Sequence, residues 1–404
     1  MKKAITQSRD HLLLTLIAIP IGIAAGLIDA LFGRVLIRIT DIRVASPTLF
    51  IPFLGVIGVV IQWGYRKFGK ESIKGMRLLF EVKNGDGDHI PLRLIPLTIV
   101  GTWLTHLFGG SAGREGVAVQ IGGALGHTVS KFIRVQNGEK ILLITGMAAG
   151  FGGLFRTPFA AAFFAIEVFT VGYLEHIAVL PALAGALTAS YVSGACGLEK
   201  FSIPLAVDGS LSWNLLPQLI LLGILFGLIG RLFSVAIHHS KTLFGKLKIN
   251  PYLRIFITGT LIGVLSLLFF KGRYSGLGTN LISMSFADAI KPWDFALKFI
   301  FTILTLSAGF PGGEVTPLFS IGAAVGAALA PMLGLSVPLT AALGYASVFG
   351  SATNTMIAPI LIGVEVFGTE TMPLFVIVCL IAYALNGNRS IYPQKIIEDL
   401  SNPS

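Results

Sequence analysis

The chain has 404 residues, 54% of them apolar and only 12% charged, with a mean hydropathy of +0.81. Soluble domains carry about 25% charged residues, so a mainly water-facing surface is excluded and most of this chain must face lipid or other helices. The formal net charge of +10 lies between apolar segments and is not gathered on one face, which argues against nucleic-acid binding and for the basic loops found on the cytoplasmic side of membrane proteins.

The start carries Lys2, Lys3 and Arg9 and then an apolar stretch over 11–40. That stretch runs past Ala30 without a small-residue cleavage site, so it reads as a retained first helix and not a signal peptide. Further apolar segments follow at 50–65, 91–108, 115–133, 140–170, 175–196, 211–239, 251–270, 293–309, 315–333, 338–349, 355–367 and 371–385. Several fall short of the roughly 20 residues that a straight helix needs to cross a bilayer. Broken helices are tolerated at membrane depth only where protein or an aqueous cavity satisfies the freed backbone groups. The expectation is an all-α, polytopic integral membrane protein: one transport domain over 1–404, closing on a short helix at about 390–402, with no regulatory domain after it. The basic residues Arg66, Lys67, Lys70 and Lys74 place loop 64–75, with the termini, on the cytoplasmic side of the cell inner (plasma) membrane. Cys196 and Cys379 lie in different apolar regions, and no H-E-x-x-H occurs. No disulfide, metal site or cofactor is expected.

An internal repeat organises the chain. GREGVAVQIGGALG at 113–126 matches GEVTPLFSIGAAVG at 313–326, with Gly113, Ile121, Gly122, Ala124 and Gly126 meeting Gly313, Ile321, Gly322, Ala324 and Gly326. A second block follows in the same order: Gly146, Ala148, Gly152, Thr157, Glu167, Val168 and Phe169 meet Gly344, Ala346, Gly350, Thr355, Glu365, Val366 and Phe367. One half therefore spans about 10–200 and the other about 210–388. Repeated halves with glycine-interrupted helices point to a transporter with its site at the repeat interface.

Within GGSAGREGVAVQIGG, Gly109, Gly110 and Gly113 free the backbone just before a helix that must start near Glu115. GFPGGEVTP, 309–317, repeats the arrangement in the second half. A helix start has unpaired N–H groups and roughly half a positive charge, which makes it an anion site. Glu115 places a carboxylate at that start. Ionised, it competes with an anion; protonated, it leaves the site free, which gives a route to proton coupling. The plainer role is a helix cap. Ser111 also sits in a G-x-S-x-G pattern, and an intramembrane serine protease would need a base from another helix; His106 and His127 are mere sequence neighbours. Glu167 and Glu365, at matched repeat positions, read as structural acceptors for loop amides.

GREGV resembles the GREGP motif of the CLC family of chloride channels and proton-coupled anion antiporters. GGEVTP is similar to that family's GxFxP, TGMAAGFGGLFRTPFAAAFFAIEVF to its paired-helix motif, and SIYP at 390–393 to the segment that supplies a central tyrosine. The resemblance implies a homodimer with one pathway per subunit and about eighteen helices in two inverted halves. The departures are informative. KGMRLL at 74–79 puts Met76 where chloride-handling members have a serine; valine, not proline, follows Gly116; Val168 stands at the position of a second proton glutamate; and Glu314 and Thr316 enter the GxFxP segment. Together these resemble the fluoride-exporting branch of the family. The resemblance implies fluoride and H+ as transported ions, with Glu115 gating and carrying the proton, assisted by Glu314 and Thr316. It implies an anion held by the helix starts at Gly116, Val117, Val315 and Thr316, beside Met76 and the Tyr392 hydroxyl. For Glu314 the plainer role is a helix cap, for Thr316 a bond to a nearby carbonyl, for Met76 packing, and for Tyr392 an interfacial anchor. A chloride channel or chloride/proton antiporter of the same fold is the alternative.

Overall fold

A computed structural model describes residues 2–205 and 213–396. Among them are sixteen α-helices of eight residues or more, eight in each half. The first half holds α1 (Lys2–Ala45), α2 (Leu54–Gly64), α3 (Met76–Asn84), α4 (Leu94–Leu107), α5 (Glu115–Ser130), α6 (Gly138–Phe155), α7 (Pro158–Glu167) and α8 (Val179–Ala195). The second holds α9 (Leu216–Lys246), α10 (Pro251–Phe270), α11 (Thr279–Phe286), α12 (Asp294–Ala308), α13 (Val315–Leu333), α14 (Val337–Thr353), α15 (Ile357–Phe367) and α16 (Met372–Ala384). Single helical turns, such as Tyr65–Gly69 and Lys70–Lys74, fill connections between them. Six helical stretches are long and apolar enough to cross a membrane, among them Arg9–Ala45 and Trp213–Lys246. Others, such as α4, α7 and α15, are apolar but too short to cross.

Small residues set the packing of each half. On α5 and α6, Gly126 faces Leu142, Gly122 faces Gly146 and Ala118 faces Gly150, backbone against backbone. On α13 and α14, Gly322 faces Gly344 and Gly326 faces Thr340. Without water to drive apolar association, close backbone approach supplies the dispersion contact that holds membrane helices together. The matched helices also end alike: α6 stops on Arg156 (φ 59°) and α14 on Asn354 (φ 53°), both left-handed.

The halves are joined by exchanged carboxylates. Glu167, at the end of α7, accepts N–H bonds from Met356 (3.1 Å), Ile357 (3.0 Å) and Ala358 (2.7 Å) at the start of α15. Glu365 on α15 accepts from Phe159 (3.3 Å) and Ala160 (2.8 Å) at the start of α7. Each buried helix start thus finds in the other half the acceptors it lacks. Both glutamates have the structural role expected of them.

The segment after α16 differs from expectation. Residues 390–396 are not helical, and 397–404 lie outside the described residues. Pro393 has no N–H to donate, and the flanking backbone is taken up elsewhere: Ile391 N–H donates to Ala352 O (2.9 Å), Lys395 N–H to Phe169 O (3.0 Å), and Lys395 O accepts from Val171 N–H (2.9 Å). The segment is thus tied to both halves.

Two stability outcomes follow. A Cβ at Gly146 would overlap the Gly122 carbonyl, so Gly146→Val should cost about 3 kcal/mol or more, read as a lowered melting temperature of the detergent-solubilised protein. Glu167→Ala strands three buried N–H groups and should cost about 3 kcal/mol, whereas Glu365→Ala, which strands two, should cost less in the same melting assay.

Candidate functional site

The site lies where the two helix starts meet. Gly113 and Gly313 form an antiparallel bridge, each N–H donating to the other's carbonyl, with the Gly313 N–H to Gly113 O bond at 2.8 Å. There is no room for side chains: a Cβ on Gly113 would sit 2.9 Å from Gly313 O, and one on Gly313 would sit 2.8 Å from Gly116 N. The two glycines bring the starts of α5 and α13 into direct contact, and the N–H groups of both converge.

Glu115 occupies that convergence and is wholly buried. Its Oε2 accepts from Thr316 N–H at 3.1 Å, from the Thr316 hydroxyl, and from Arg114 N–H at 3.3 Å. Its Oε1 has no hydrogen-bond partner, and Arg114 Nε lies 3.7 Å from it. The carboxylate reaches across from the first half to the helix start of the second. One oxygen therefore sits where α13 offers its positive end. That end would equally take a small anion. The Thr316 hydroxyl goes to Glu115, not to a carbonyl of its own helix.

Beside this contact opens a cavity of about 850 Å³, lined by Met76, Phe80, Val117, Gln120, Glu314 and Tyr392 among others. Loop residues Ser72, Lys74 and Gly75 stand around it, so it opens on the side of the basic loop. Glu115 and Thr316 are not in its lining. Tyr392 is buried, its ring stacked on Phe80 (centroids 5.8 Å apart) and edge-on to Phe164 (6.1 Å). Its hydroxyl has no partner. A buried hydroxyl without a partner is costly, so a group in this cavity that accepts from it is favoured. Met76, the first residue of α3, adds a thioether and no hydroxyl.

Glu314 stands in the cap position before α13 but makes no cap bond. Its carboxylate turns to Lys241 on α9, at 3.5 Å. The helix-cap reading fails because that helix start is taken by Glu115. Val168 is buried, and its carbonyl accepts from Gln394 (2.9 Å). Lys241 and Gln120 were not singled out in the sequence. Gln120 donates to Gly116 O at 3.1 Å and leaves its own oxygen unpartnered. The signal for it was an amide in an otherwise apolar helix, five residues after Glu115; Lys241 had none, lying among other basic residues at the end of α9.

Ser111 has no histidine base against it. Its buried hydroxyl accepts from Lys298 Nζ at 2.8 Å and lies 2.9 Å from Thr302 Oγ1. Lys298 also donates to Gly276 O (2.7 Å) and Tyr274 O (3.2 Å), which ties the loop down. His106 is bonded to Thr102 O and Ala112 O, away from Ser111.

Residues 57–387 match the family model described as voltage gated chloride channel. A chloride/fluoride channel protein of Pseudomonas syringae pv. tomato is 36% identical over 92% of this chain and 84% of its own length. An H(+)/Cl(-) exchange transporter of Vibrio campbellii is 28% identical over 77% of this chain and 70% of its own. Among solved structures, a CLC-type fluoride/proton antiporter superposes with a TM-score of 0.93 at 48% identity, over 95% of this chain and 98% of that one. A slow cyanobacterial Cl-/H+ antiporter shares the fold, with a TM-score of 0.82 at 21% identity. With its inverted halves meeting at a glutamate-bearing helix start, the chain belongs to the CLC family of voltage gated chloride channels and anion/proton antiporters.

Proposed function

We propose that this protein is a fluoride/proton antiporter that expels fluoride from the cytoplasm, driven by the inward proton gradient. The observation that carries the reading is the seat of Glu115: a carboxylate oxygen occupies the N–H and hydroxyl donors of Thr316 where an anion would bind. Anion and carboxylate compete for one seat. Protonation of Glu115 discharges it, weakens its bonds and frees the seat for fluoride. Deprotonation returns it.

Fluoride is the anion because of what lines the approach. It is small and strongly hydrated, so it needs strong donors in exchange for water. The Tyr392 hydroxyl, unpartnered in the cavity wall, is such a donor, and the N–H groups of Gly116, Val315 and Thr316 are others; that of Val117, expected to join them, is given to Arg114 O at 3.1 Å. Met76 replaces a hydroxyl that would serve a larger halide. Glu314, held by Lys241 at the cavity wall, stands on the inner approach in place of the second proton glutamate whose position Val168 fills. The chain is a multi-pass protein of the plasma membrane with cytoplasmic termini. It works without a cofactor, as a homodimer in lipid with one pathway per subunit.

Proteoliposomes loaded with fluoride or chloride test the reading. Fluoride efflux should exceed chloride efflux by an order of magnitude or more, and a fluoride gradient should drive protons uphill. Equal efflux of the two anions defeats the fluoride assignment. Glu115→Gln, which cannot titrate, should abolish proton movement; coupling that survives it removes Glu115 as the carrier. Tyr392→Phe deletes one donor to the anion and should weaken fluoride binding by about 1.5–3 kcal/mol, roughly ten- to 150-fold, by isothermal titration calorimetry.

A further inference from the structure

The repeat extends to the first helix of each half, and there it fails at one position. Gly22, Gly26 and Asp29 on α1 stand at the same spacing as Gly223, Gly227 and Gly230 on α9. The helices they cross also match. Gly22 and Gly26 lie against Gly185 and Ala189 of α8, while Gly223 and Gly227 lie against Ile381 and Ala382 of α16. Asp29 and Gly230 then meet matched residues of the paired helices: Asp29 faces Gly153 on α6, and Gly230 faces Ser351 on α14. In the second half a glycine closes on a serine. In the first, a carboxylate points at a glycine, and a Cβ on Gly153 would come 2.5 Å from Asp29 Oδ2.

Asp29 is wholly buried, and neither of its oxygens has a hydrogen-bond partner. Its depth is that of Glu115. The crossing of α5 and α6 pairs Ala118 with Gly150, so one turn nearer the start of α5, Arg114 and Glu115 come level with Leu154 and Gly153. Helix α1 packs on both helices here, since Phe32, three residues on from Asp29, shares a buried cluster with Val117, Ala118 and Leu154. The Arg114 guanidinium lies against Glu115, with Nε unpartnered and the side chain 12% exposed. Two further cations stand on the elements packed here, Arg34 on α1, which donates to Cys196 O at 2.9 Å, and Arg156. Helix α8 has no ionisable group within Val179–Ala195 except Tyr191. Arg156 at the end of α6 donates to Leu198 O at 3.1 Å, and His106 on α4 is bonded to two carbonyls.

We propose that Asp29 is a second proton-carrying carboxyl of the transport site, sharing one proton and the Arg114 charge with Glu115 on the outer side. The inference rests on Glu115 as the proton carrier and on the cytoplasmic orientation of loop 64–75. A buried carboxylate without donors is costly to ionise, while the same group holding a proton is not. With Glu115 seated on Thr316 as a carboxylate, Asp29 holds the proton and Arg114 balances Glu115. When the proton passes, the Asp29 O–H bond breaks and a Glu115 O–H bond forms. Glu115 then leaves the Thr316 seat, and Arg114 turns to the newly charged Asp29. Asp29 takes its next proton from the outer water as Glu115 gives its own up toward the cytoplasm. One positive and one negative charge remain in both states, so no net charge is left unpaired in low dielectric.

The test is Asp29→Asn, which keeps shape and cannot pass a proton, measured in proteoliposomes beside wild type and Glu115→Gln. Fluoride-driven proton uptake should fall about a hundredfold, the lower end of what losing a positioned proton carrier costs. Fluoride binding by isothermal titration calorimetry should stay within about twofold. Asp29→Glu should restore part of the proton uptake. Proton uptake at the wild-type rate in Asp29→Asn overturns the proposal while leaving Glu115 untouched, provided Glu115→Gln is silent. Loss of fluoride binding together with proton uptake also overturns it, because Asp29 would then be a structural support. If Glu115→Gln still couples, the reading on which the proposal rests fails first and is recognised as such.

Discussion

Two glycines bonded to each other set the distance between the halves of this protein. The Gly113–Gly313 bridge works only because neither residue carries a Cβ. It brings two helix starts within reach of one carboxylate. Every feature of the site is downstream of that contact. Glu115 can bond to a helix that is not its own, Thr316 can offer both its N–H and its hydroxyl, and the seat lies in a region closed to water. Had either glycine been alanine, the starts would be pushed apart, and each helix would need a cap of its own.

The same economy of exchange recurs at Glu167 and Glu365. A helix that starts inside a membrane protein leaves N–H groups that water cannot reach. In this fold the other half supplies the acceptors at all three places. At two of them the bond is permanent, with several amides held by one carboxylate. At the third, Glu115 gathers its donors on one oxygen and leaves the other bare. A carboxylate held by half its capacity is easier to displace than one fully engaged. That difference separates Glu115 from the two structural braces built of the same chemistry.

Selectivity and coupling draw on different parts of the molecule. The cavity that opens beside the basic loop offers a tyrosine hydroxyl, a thioether and a lysine-bound glutamate. These set what an anion meets on the way in. Glu115, Arg114 and Asp29 lie outside the cavity lining. Fluoride asks more of its donors than chloride does, because it gives up more hydration. The wall offers one buried hydroxyl without a partner, a directed donor of the kind such an anion needs.

Composition and periodicity alone determined that this is a helical membrane protein, since 12% charge cannot cover a soluble surface. The repeat located both helix starts, and the placement of Glu115 among glycines marked it as the residue at issue. Glu167 and Glu365 were legible for the same reason: a carboxylate repeated at one position of both halves has a shared structural task. Three things were decided only in three dimensions. That Glu115 binds the opposite helix, and that Glu314 turns to Lys241 and caps nothing, depends on contacts 201 and 73 residues apart in the chain. The stretch 390–396, expected to begin a short helix, is instead held by backbone bonds to both halves, and no local pattern encodes those partners. Asp29 was overlooked as one acidic residue in a long apolar helix, because its meaning lies in the glycine it faces and in the arginine level with it. Local sequence sets which groups are costly to bury; only the packing of the two halves sets what each such group is buried against.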